Sequence, residues 1–151
     1  MHTSRCAFGP AGPSVLKREG DGATPAGRWR LLQVFYRADR ISRPRTALPL
    51  RALRPNDGWC DASGDRNYNR LVTLPYPARA ERLWRDDALY DIVVVLDHNT
   101  RSRVRGRGSA VFLHVAKQGY APTEACIALS PHDLRALLEV SGPGSAIRLL
   151  P

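Results

Sequence analysis

The chain has 151 residues, of which 43% are hydrophobic and 25% are charged, proportions that are ordinary for one globular domain with its own core. Its 23 Lys and Arg outnumber 14 Asp and Glu, and the formal net charge of +9 favours polyanionic partners such as nucleic acid, anionic lipid or an acidic polymer. No apolar run approaches the ~18 residues of a membrane-spanning helix, so we expect a single domain over residues 1–151 without a membrane span.

The basic residues are mostly arginine, and they are scattered along the chain. The nearest approach to a cluster is the alternation of Arg101, Arg103, Arg105 and Arg107 in one glycine-containing segment. We interpret these arginines as a solvated surface, and an anion-binding patch is the alternative.

Three cysteines, Cys6, Cys60 and Cys126, allow either one disulfide with one free thiol or three free thiols. No pair has the C-x-x-C spacing of a zinc site, and the four histidines do not cluster with the cysteines. We therefore expect neither a structural metal nor a cofactor.

The first half of the chain is predicted to consist of strands joined by turn-rich segments. Residues 1–27 are rich in Gly and Pro and lead into an apolar and aromatic run over 28–36 that predicts a strand. Prolines make 38–50 a loop, and 51–53 is predicted to be a short strand. Residues 54–70 are polar and turn-rich, which predicts a long, ordered loop that can close over a substrate.

The next part of the chain contains the strongest strand pattern. Residues 79–84 predict a short helix, and the β-branched run over 89–96 predicts a strand. A basic loop over 97–108 then leads into a further predicted strand over 109–116.

The end of the chain carries a clear helix signal. Ser130 supplies an N-cap, Pro131 a first helical residue and Asp133 an acid in the first turn, and Gly142 marks the end of the helix. Residues 146–150 predict a final strand. Several strands with one good helix favour a mainly β, sandwich-like domain with one or two short helices.

Residues 109–138 carry the most chemical content. His114 lies in an apolar strand pattern, and Cys126 follows twelve positions later, after a polar turn. A thiol and an imidazole on separate elements are the minimum parts of a cysteine acyl-transfer site. Turn N–H groups can hold an oxyanion there, and the positive end of the following helix favours a thiolate. The alternatives, a buried inert thiol and a histidine satisfied in the core, stay open at this point.

Two further groups of polar residues are candidates for a role. His98 and Asn99 directly follow a predicted strand, where side chains gather at the strand end. Asp21 and Thr24 stand in a turn, where capping of the backbone is the expected role.

Two segments resemble the motifs of one protein family. Residues 20–27 (GDGATPAG) resemble the D-G-x-T-P-x-G motif that opens L,D-transpeptidase catalytic domains of the YkuD type. His114 together with residues 123–129 (TEACIAL) resembles the family's His … [Ser/Thr]-x-Gly-Cys-[Ile/Val]-x-Leu signature, and the helix that follows is similar too. Both motifs occur in the family's order, and the resemblance covers essentially the whole chain.

The resemblance implies a β-sandwich-like domain and a cysteine acyltransferase that acts on peptidoglycan. Family members cleave a stem tetrapeptide after the L-centre of diaminopimelate, release D-Ala and pass the acyl group to an amine of a neighbouring stem. By position, Cys126 is the nucleophile, His114 is the general base, and the N–H groups of Ala125 and Cys126 form the oxyanion hole. The candidate substrate-binding residues are Thr123, which matches the family's Ser/Thr, and His98, Asn99 and Ser109.

The sequence departs from the family's pattern at two positions. Ala125 stands where most members have Gly, and if that backbone requires a positive φ, Ala costs about 1 kcal/mol or more. Ala128 stands where many members carry Arg, a good carboxylate clamp. The usual anchoring of the substrate is therefore in question, and a 3-3 crosslink, an atypical crosslink such as 1-3 and hydrolysis by water all stay open.

The leading hypothesis is a small L,D-transpeptidase whose partners are peptidoglycan stem peptides, with no nucleic-acid partner. This places the protein in the periplasm or cell envelope, although no signal peptide is visible in this chain. In that compartment Cys6 and Cys60 can form a disulfide. The alternatives are a non-catalytic basic module for glycan or nucleic acid on the same scaffold, or a stem-peptide hydrolase.

Overall fold

A computed structural model of the protein describes residues 2–150, and the domain is mainly β, as the sequence predicts. The α-helix α1 covers Pro131–Glu139, and a short 3-10 helix covers Gln118–Tyr120. Within residues 2–150 no helix is both long and apolar enough to cross a membrane. The strands are β1 (Pro13–Ser14), β2 (Thr24–Pro25), β3 (Gly27–Tyr36), β4 (Leu50–Ala52), β5 (Asp57–Cys60), β6 (Arg70–Thr73), β7 (Ala80–Arg82), β8 (Ile92–Leu96), β9 (Phe112–Val115), β10 (Ile127–Leu129) and β11 (Ala146–Leu149).

A six-stranded sheet forms the centre of the domain, with the order β10-β9-β8-β3-β11 and with β4 paired to β3. The long strand β3 pairs antiparallel with β8 and β11 and parallel with β4. At the far end, β10 pairs parallel with β9, and Ala128 stands opposite His114 in register. A three-stranded sheet has the order β6-β5-β7, and β1 pairs with β2.

One face of the central sheet is covered by α1. Because side chains along a strand alternate between faces, Ile92, Val94 and Leu96 of β8 lie on one face, where the fully buried Leu134 and Leu138 of α1 pack. This helix-side cluster consists of Leu31, Val34, Tyr36, Leu48, Ile92, Val94, Leu96, Val111, Leu113, Val115, Ile127, Leu129, Leu134, Leu138 and Leu149.

The opposite face of the central sheet is covered by the three-stranded sheet. Trp59 of β5 packs edge-to-face against Phe112 of β9, with ring centroids 5.2 Å apart. This arrangement of one sheet on another agrees with the predicted sandwich-like architecture. The small-sheet cluster consists of Phe35, Leu53, Trp59, Leu83, Tyr90, Val93, Val95, Phe112 and Cys126.

Helix α1 begins where the sequence predicts. The Ser130 hydroxyl accepts a hydrogen bond from the Asp133 N–H at 3.1 Å, and Pro131 is the first helical residue. The helix ends at Glu139 with Val140 as its C-cap, so it stops before Gly142.

Two local predictions are wrong. Residues 79–84 form no helix, because β7 lies there and pairs with β5. Residues 54–70 are not a continuous loop, because they contain β5 and reach β6. Asp57 and Gly58 have low strand propensity, but β5 is the central strand of its sheet and is buried throughout, so tertiary packing overrides propensity. Gly58 also allows close packing there, since a Cβ would lie 2.7 Å from the Leu74 side chain, which would have to shift.

All three cysteines are free thiols. Cys6 packs against the helix-side cluster, whereas Cys60 is fully buried in β5, on the other side of the central sheet. The disulfide that the sequence allows between Cys6 and Cys60 is therefore absent, because the central sheet separates the two residues.

We expect Leu138→Ala to lower the free energy of unfolding by about 2–5 kcal/mol, because Leu138 is fully buried under the central sheet. The matched control is Val140→Ala at the helix C-cap, where the side chain is 81% exposed and the change should stay within about 0.5 kcal/mol. Urea or guanidinium unfolding of both variants measures the difference. Equal losses in the two variants would contradict this account of the core.

Candidate active site

A cavity of about 400 Å³ lies on the face of the central sheet that carries the small-sheet cluster. It brings together several of the residues that the sequence predicts for a site, although they lie far apart in the chain. These residues are Ser109, His114, Thr123, Ala125 and Cys126.

The pairing of β9 with β10 explains why Cys126 and His114 share this cavity. Ala128 stands opposite His114 in the parallel register, and Cys126 precedes Ala128 by two residues. Residues two apart on a strand point to the same face, so Cys126 follows the face of Ala128 and His114. Along β9, Phe112 and His114 alternate with Leu113 and Val115, which belong to the helix-side cluster.

The thiol of Cys126 is held by the backbone that leads into β9. Its Sγ donates to the Ala110 carbonyl at 3.2 Å and accepts from the Phe112 N–H at 3.4 Å. Burial, and then the nearby Glu81 carboxylate, raise the pKa of Cys126 to about 12. The thiol is therefore neutral in the free protein, and the support for a thiolate that the sequence suggests is not seen.

His114 carries its proton on a defined nitrogen. Its Nδ1 lies 2.8 Å from the Val115 carbonyl oxygen, and since a carbonyl can only accept, Nδ1 holds the hydrogen and Nε2 carries the free lone pair. Burial lowers the pKa of His114, so the ring is a neutral base. The Val115 carbonyl is thus the orienting group whose identity the sequence leaves open.

The ring of Tyr90 packs against the imidazole of His114, with centroids 5.3 Å apart and planes at 66°. The Tyr90 hydroxyl donates to the Glu81 carboxylate, and both residues line the cavity. Sequence analysis missed Glu81 and Tyr90, because neither belongs to a motif. The sequence signal that could have identified Glu81 is its position two residues before the buried Leu83, which would put both side chains on the same face of a strand.

The turn before Cys126 is closed by Thr123. The Thr123 hydroxyl donates to the Cys126 carbonyl at 2.6 Å, and the Thr123 N–H donates to the Phe8 carbonyl at 3.1 Å. Ala125 has no positive φ, so the strain considered for Ala in place of Gly does not arise. Within the described residues the Ala125 N–H donates to no backbone carbonyl, which leaves this donor available at the cavity.

The segment 20–27 supports the cysteine turn through Gly9. The buried Thr24 hydroxyl accepts from the Gly9 N–H at 2.8 Å. A Cβ on Gly9 would lie 2.2 Å from the Gly22 carbonyl oxygen and 3.1 Å from that of Glu124. Asp21 accepts from the Arg18 and Ala23 N–H groups, which confirms its predicted capping role.

Ala128 leaves no room for a long cation. It is fully buried, and its N–H and carbonyl both bond to Ala7 at 2.9 Å. Three other cations line the cavity, and two of them are paired, Lys17 with Asp21 and Arg85 with Asp87. The third, Lys117, is exposed and forms no ion pair among the described residues, and its sequence neighbourhood gave no signal.

His98 and Asn99 lie away from Cys126. They line a larger cavity of about 660 Å³, where the His98 ring packs on Trp29 at 5.0 Å and bonds to the Arg107 carbonyl at 2.9 Å. The Asn99 amide spans the loop by donating to the Val104 and Gly108 carbonyls. Their role in substrate binding stays a prediction.

Two of the four arginines in the 97–108 loop have side-chain partners within the fold. Arg103 donates to the Arg66 carbonyl, and Arg105 donates to the Ser63 carbonyl, so the two side chains join neighbouring loops. Arg105 and Arg107 also line the larger cavity. Over residues 2–150 no group of three or more His, Cys, Asp or Glu is placed to hold a metal ion.

One of three comparisons with known proteins finds a match. A family model described as YkuD, L,D-transpeptidase catalytic domain, matches residues 1–149. No curated protein and no solved structure matches the chain. The match spans the glycine-rich segment, the histidine strand and the cysteine turn together.

We expect Ala125→Gly to lower the free energy of unfolding by about 0.4–1 kcal/mol, because Gly adds freedom to the unfolded chain and Ala125 has no strain to relieve. Chemical unfolding of the two proteins measures this difference. A gain in stability on substitution would show that Ala strains the turn.

We expect the alkylation of Cys126 by iodoacetamide to rise about tenfold per pH unit between about pH 7 and pH 10, because only the thiolate reacts and the pKa is raised to about 12. Mass spectrometry of the labelled peptides follows this site separately from Cys6 and Cys60. The control is the guanidinium-unfolded chain, where the rate should level off near about pH 8.5. Levelling of the folded protein in the same range would contradict the buried neutral thiol.

Proposed function

Because this chain belongs to the L,D-transpeptidase catalytic domain family, we propose that it forms peptidoglycan crosslinks by cysteine acyl transfer. One observation carries the proposal. The Cys126 thiol and a neutral His114 imidazole with a free Nε2 lie in one cavity, on the same face of one sheet. The substrates are stem peptides of peptidoglycan, and the protein works in the cell envelope.

In the first half-reaction, His114 Nε2 takes the proton of Cys126 while the sulfur attacks the donor carbonyl carbon. The N–H groups of Ala125 and Cys126 hold the developing oxyanion. The imidazolium then donates its proton to the leaving amine, the C–N bond breaks, D-Ala departs and a thioester remains. Atoms and protons balance without a cofactor.

In the free protein, proton transfer from Cys126 to His114 is unfavourable. A buried neutral thiol beside a buried neutral imidazole makes a separated ion pair costly, so proton transfer accompanies the attack on the bound donor. The Cys126 hydrogen bond to the Ala110 carbonyl must break for this step. Hydrogen bonds of a catalytic group often tighten only when substrate is bound.

In the second half-reaction, an acceptor amine attacks the thioester and His114 Nε2 takes its proton. The C–N bond forms, the C–S bond breaks, and the proton passes to the departing Cys126 sulfur. When water replaces the amine, the same steps give hydrolysis. The exposed ammonium of Lys117 is placed at the cavity to hold a stem carboxylate in place of the guanidinium that Ala128 lacks.

The alternative is a non-catalytic basic module, and one observation favours it. The larger cavity is lined by Arg18, Arg105 and Arg107 around Trp29, a combination that suits an anionic or sugar-containing polymer. A binding module of this kind needs no reactive thiol.

We expect incubation with disaccharide-tetrapeptide muropeptides to give a mass adduct on the protein and dimeric muropeptides in solution. Intact-mass spectrometry detects the adduct, and fragmentation of the dimers locates the crosslink. Cys126→Ala should abolish both products, whereas the matched control Cys6→Ala should retain both, because Cys6 packs on the other side of the central sheet.

The outcomes separate the candidate functions. An adduct with free tetrapeptide products but no dimers would show a hydrolase. A folded protein that forms no adduct with any stem peptide would overturn the proposal and favour the basic module, whose binding to a polyanion should then fall steeply with salt.

A further inference from the structure

Glu81 is half-buried in β7, at a position whose side chain points to the inner face of the small sheet. It stands directly opposite Trp59 in the antiparallel pair of β7 and β5, so both side chains point to the same face of the small sheet. Trp59 belongs to the small-sheet cluster, and so does Leu83, two residues beyond Glu81. A carboxylate is unexpected on this core-facing side of the strand, because an apolar side chain there would add to the hydrophobic core.

Among the described residues the Glu81 carboxylate forms no ion pair, although the charge of Arg85 lies near enough to attract it. The neighbouring Arg85 is committed to Asp87, through bonds of 2.8 and 2.6 Å to its two oxygens. A carboxylate withdrawn from water is costly unless a charge or hydrogen bonds compensate it. The partner that the fold provides is the hydroxyl of Tyr90, which is neutral. The site is therefore suited to a cation that arrives from outside.

Glu81 is also fixed close to the reacting groups. Tyr90 joins it to the base, because the Tyr90 hydroxyl donates to Glu81 while the Tyr90 ring packs on the His114 ring at 5.3 Å. Glu81, His114 and Cys126 line the same cavity. A cation bound by Glu81 would thus lie on the side of the cavity where His114 acts as the general base.

We propose that Glu81 is a specificity-determining residue that binds the ammonium group of the acceptor stem. The inference rests on the proposed function and names how its second substrate is recognised. The acceptor is the substrate that presents an amine to the Cys126 thioester, and free amines are cationic at neutral pH. The reacting group of the donor is a neutral peptide bond, which needs no carboxylate.

The proton balance of acceptor attack fits this role. An ammonium must lose two protons to become an amide nitrogen, whereas the Cys126 sulfur needs one proton to return to the thiol. One proton passes through His114 to the sulfur, and the other leaves to solvent from the ammonium held at Glu81. The C–N bond forms and the C–S bond breaks, as in the second half-reaction above.

The test measures how the acyl-enzyme divides between acceptors. Preformed acyl-enzyme is offered either a stem-peptide amine or hydroxylamine, a nucleophile that is uncharged at neutral pH. In Glu81→Gln, transfer to the stem amine should fall at least about tenfold, because a charge-assisted hydrogen bond is lost. Transfer to hydroxylamine and hydrolysis should stay within about twofold. Acylation by the donor should be no slower than in the wild type, because the neutral Gln no longer raises the pKa of Cys126.

The matched control is Glu124→Gln, which removes an exposed carboxylate from the rim of the same cavity. It should leave transfer to both nucleophiles unchanged.

Thermal unfolding of Glu81→Gln shows whether the variant is folded, and the wild-type protein gives a second test. Its transfer rate should saturate with the stem amine and stay linear with hydroxylamine.

The results distinguish this inference from the proposed function. Absence of acyl-enzyme in the wild type would defeat the proposed function itself. If the acyl-enzyme forms and Glu81→Gln transfers to the stem amine as fast as the wild type, the inference is overturned. An equal loss with stem amine and hydroxylamine would overturn it too, since Glu81 would then act only through Tyr90 and His114. A wild-type rate that does not saturate with the stem amine would also count against it.

Discussion

The parallel pairing of β10 with β9 is the constraint on which the candidate site depends. It brings the residue before β10 alongside the start of β9, where the Cys126 thiol exchanges hydrogen bonds with Ala110 and Phe112. Ala110 has φ 51, a left-handed conformation that costs a non-glycine residue on the order of 1 kcal/mol. We interpret this local cost as the price of aiming the Ala110 carbonyl at the thiol, with the flanking strands holding the turn in place.

An amino-terminal layer then fixes the outer edge of β10. Ala7 forms an antiparallel bridge with Ala128, which satisfies an edge that would otherwise expose unpaired backbone groups. Gly9 must approach two carbonyls too closely for any side chain, and Thr24 fixes its amide. The glycine-rich segment at 20–27 therefore contributes to the site without entering the chemistry, because it positions the chain that supports the cysteine turn.

Local chemistry made some of these features predictable from the sequence. The cap at Ser130 and the apolar run around His114 are local patterns, and both predict their elements. Strand β5 could not be predicted, since Asp57 and Gly58 become strand residues only through partners distant in the chain. The position of the His98 side chain depends on the backbone conformation of the loop after β8. The periodicity of the sequence does not predict that conformation.

Under the proposed function, the charges that line the cavity indicate how a stem peptide would orient there without an arginine at position 128. The exposed cation Lys117 stands at the rim, whereas the carboxylate of Glu81 lies further in, against Tyr90 and the His114 ring. Lys117 can bind a carboxylate at the rim and Glu81 an ammonium further in, whereas the buried cation Lys17 is already paired with Asp21. A guanidinium at 128 would meet a crowded position, because Ala128 is fully buried and bonds to Ala7 through both of its backbone groups. The small side chain of Ala128 and the inward Glu81 are thus consistent parts of one electrostatic arrangement.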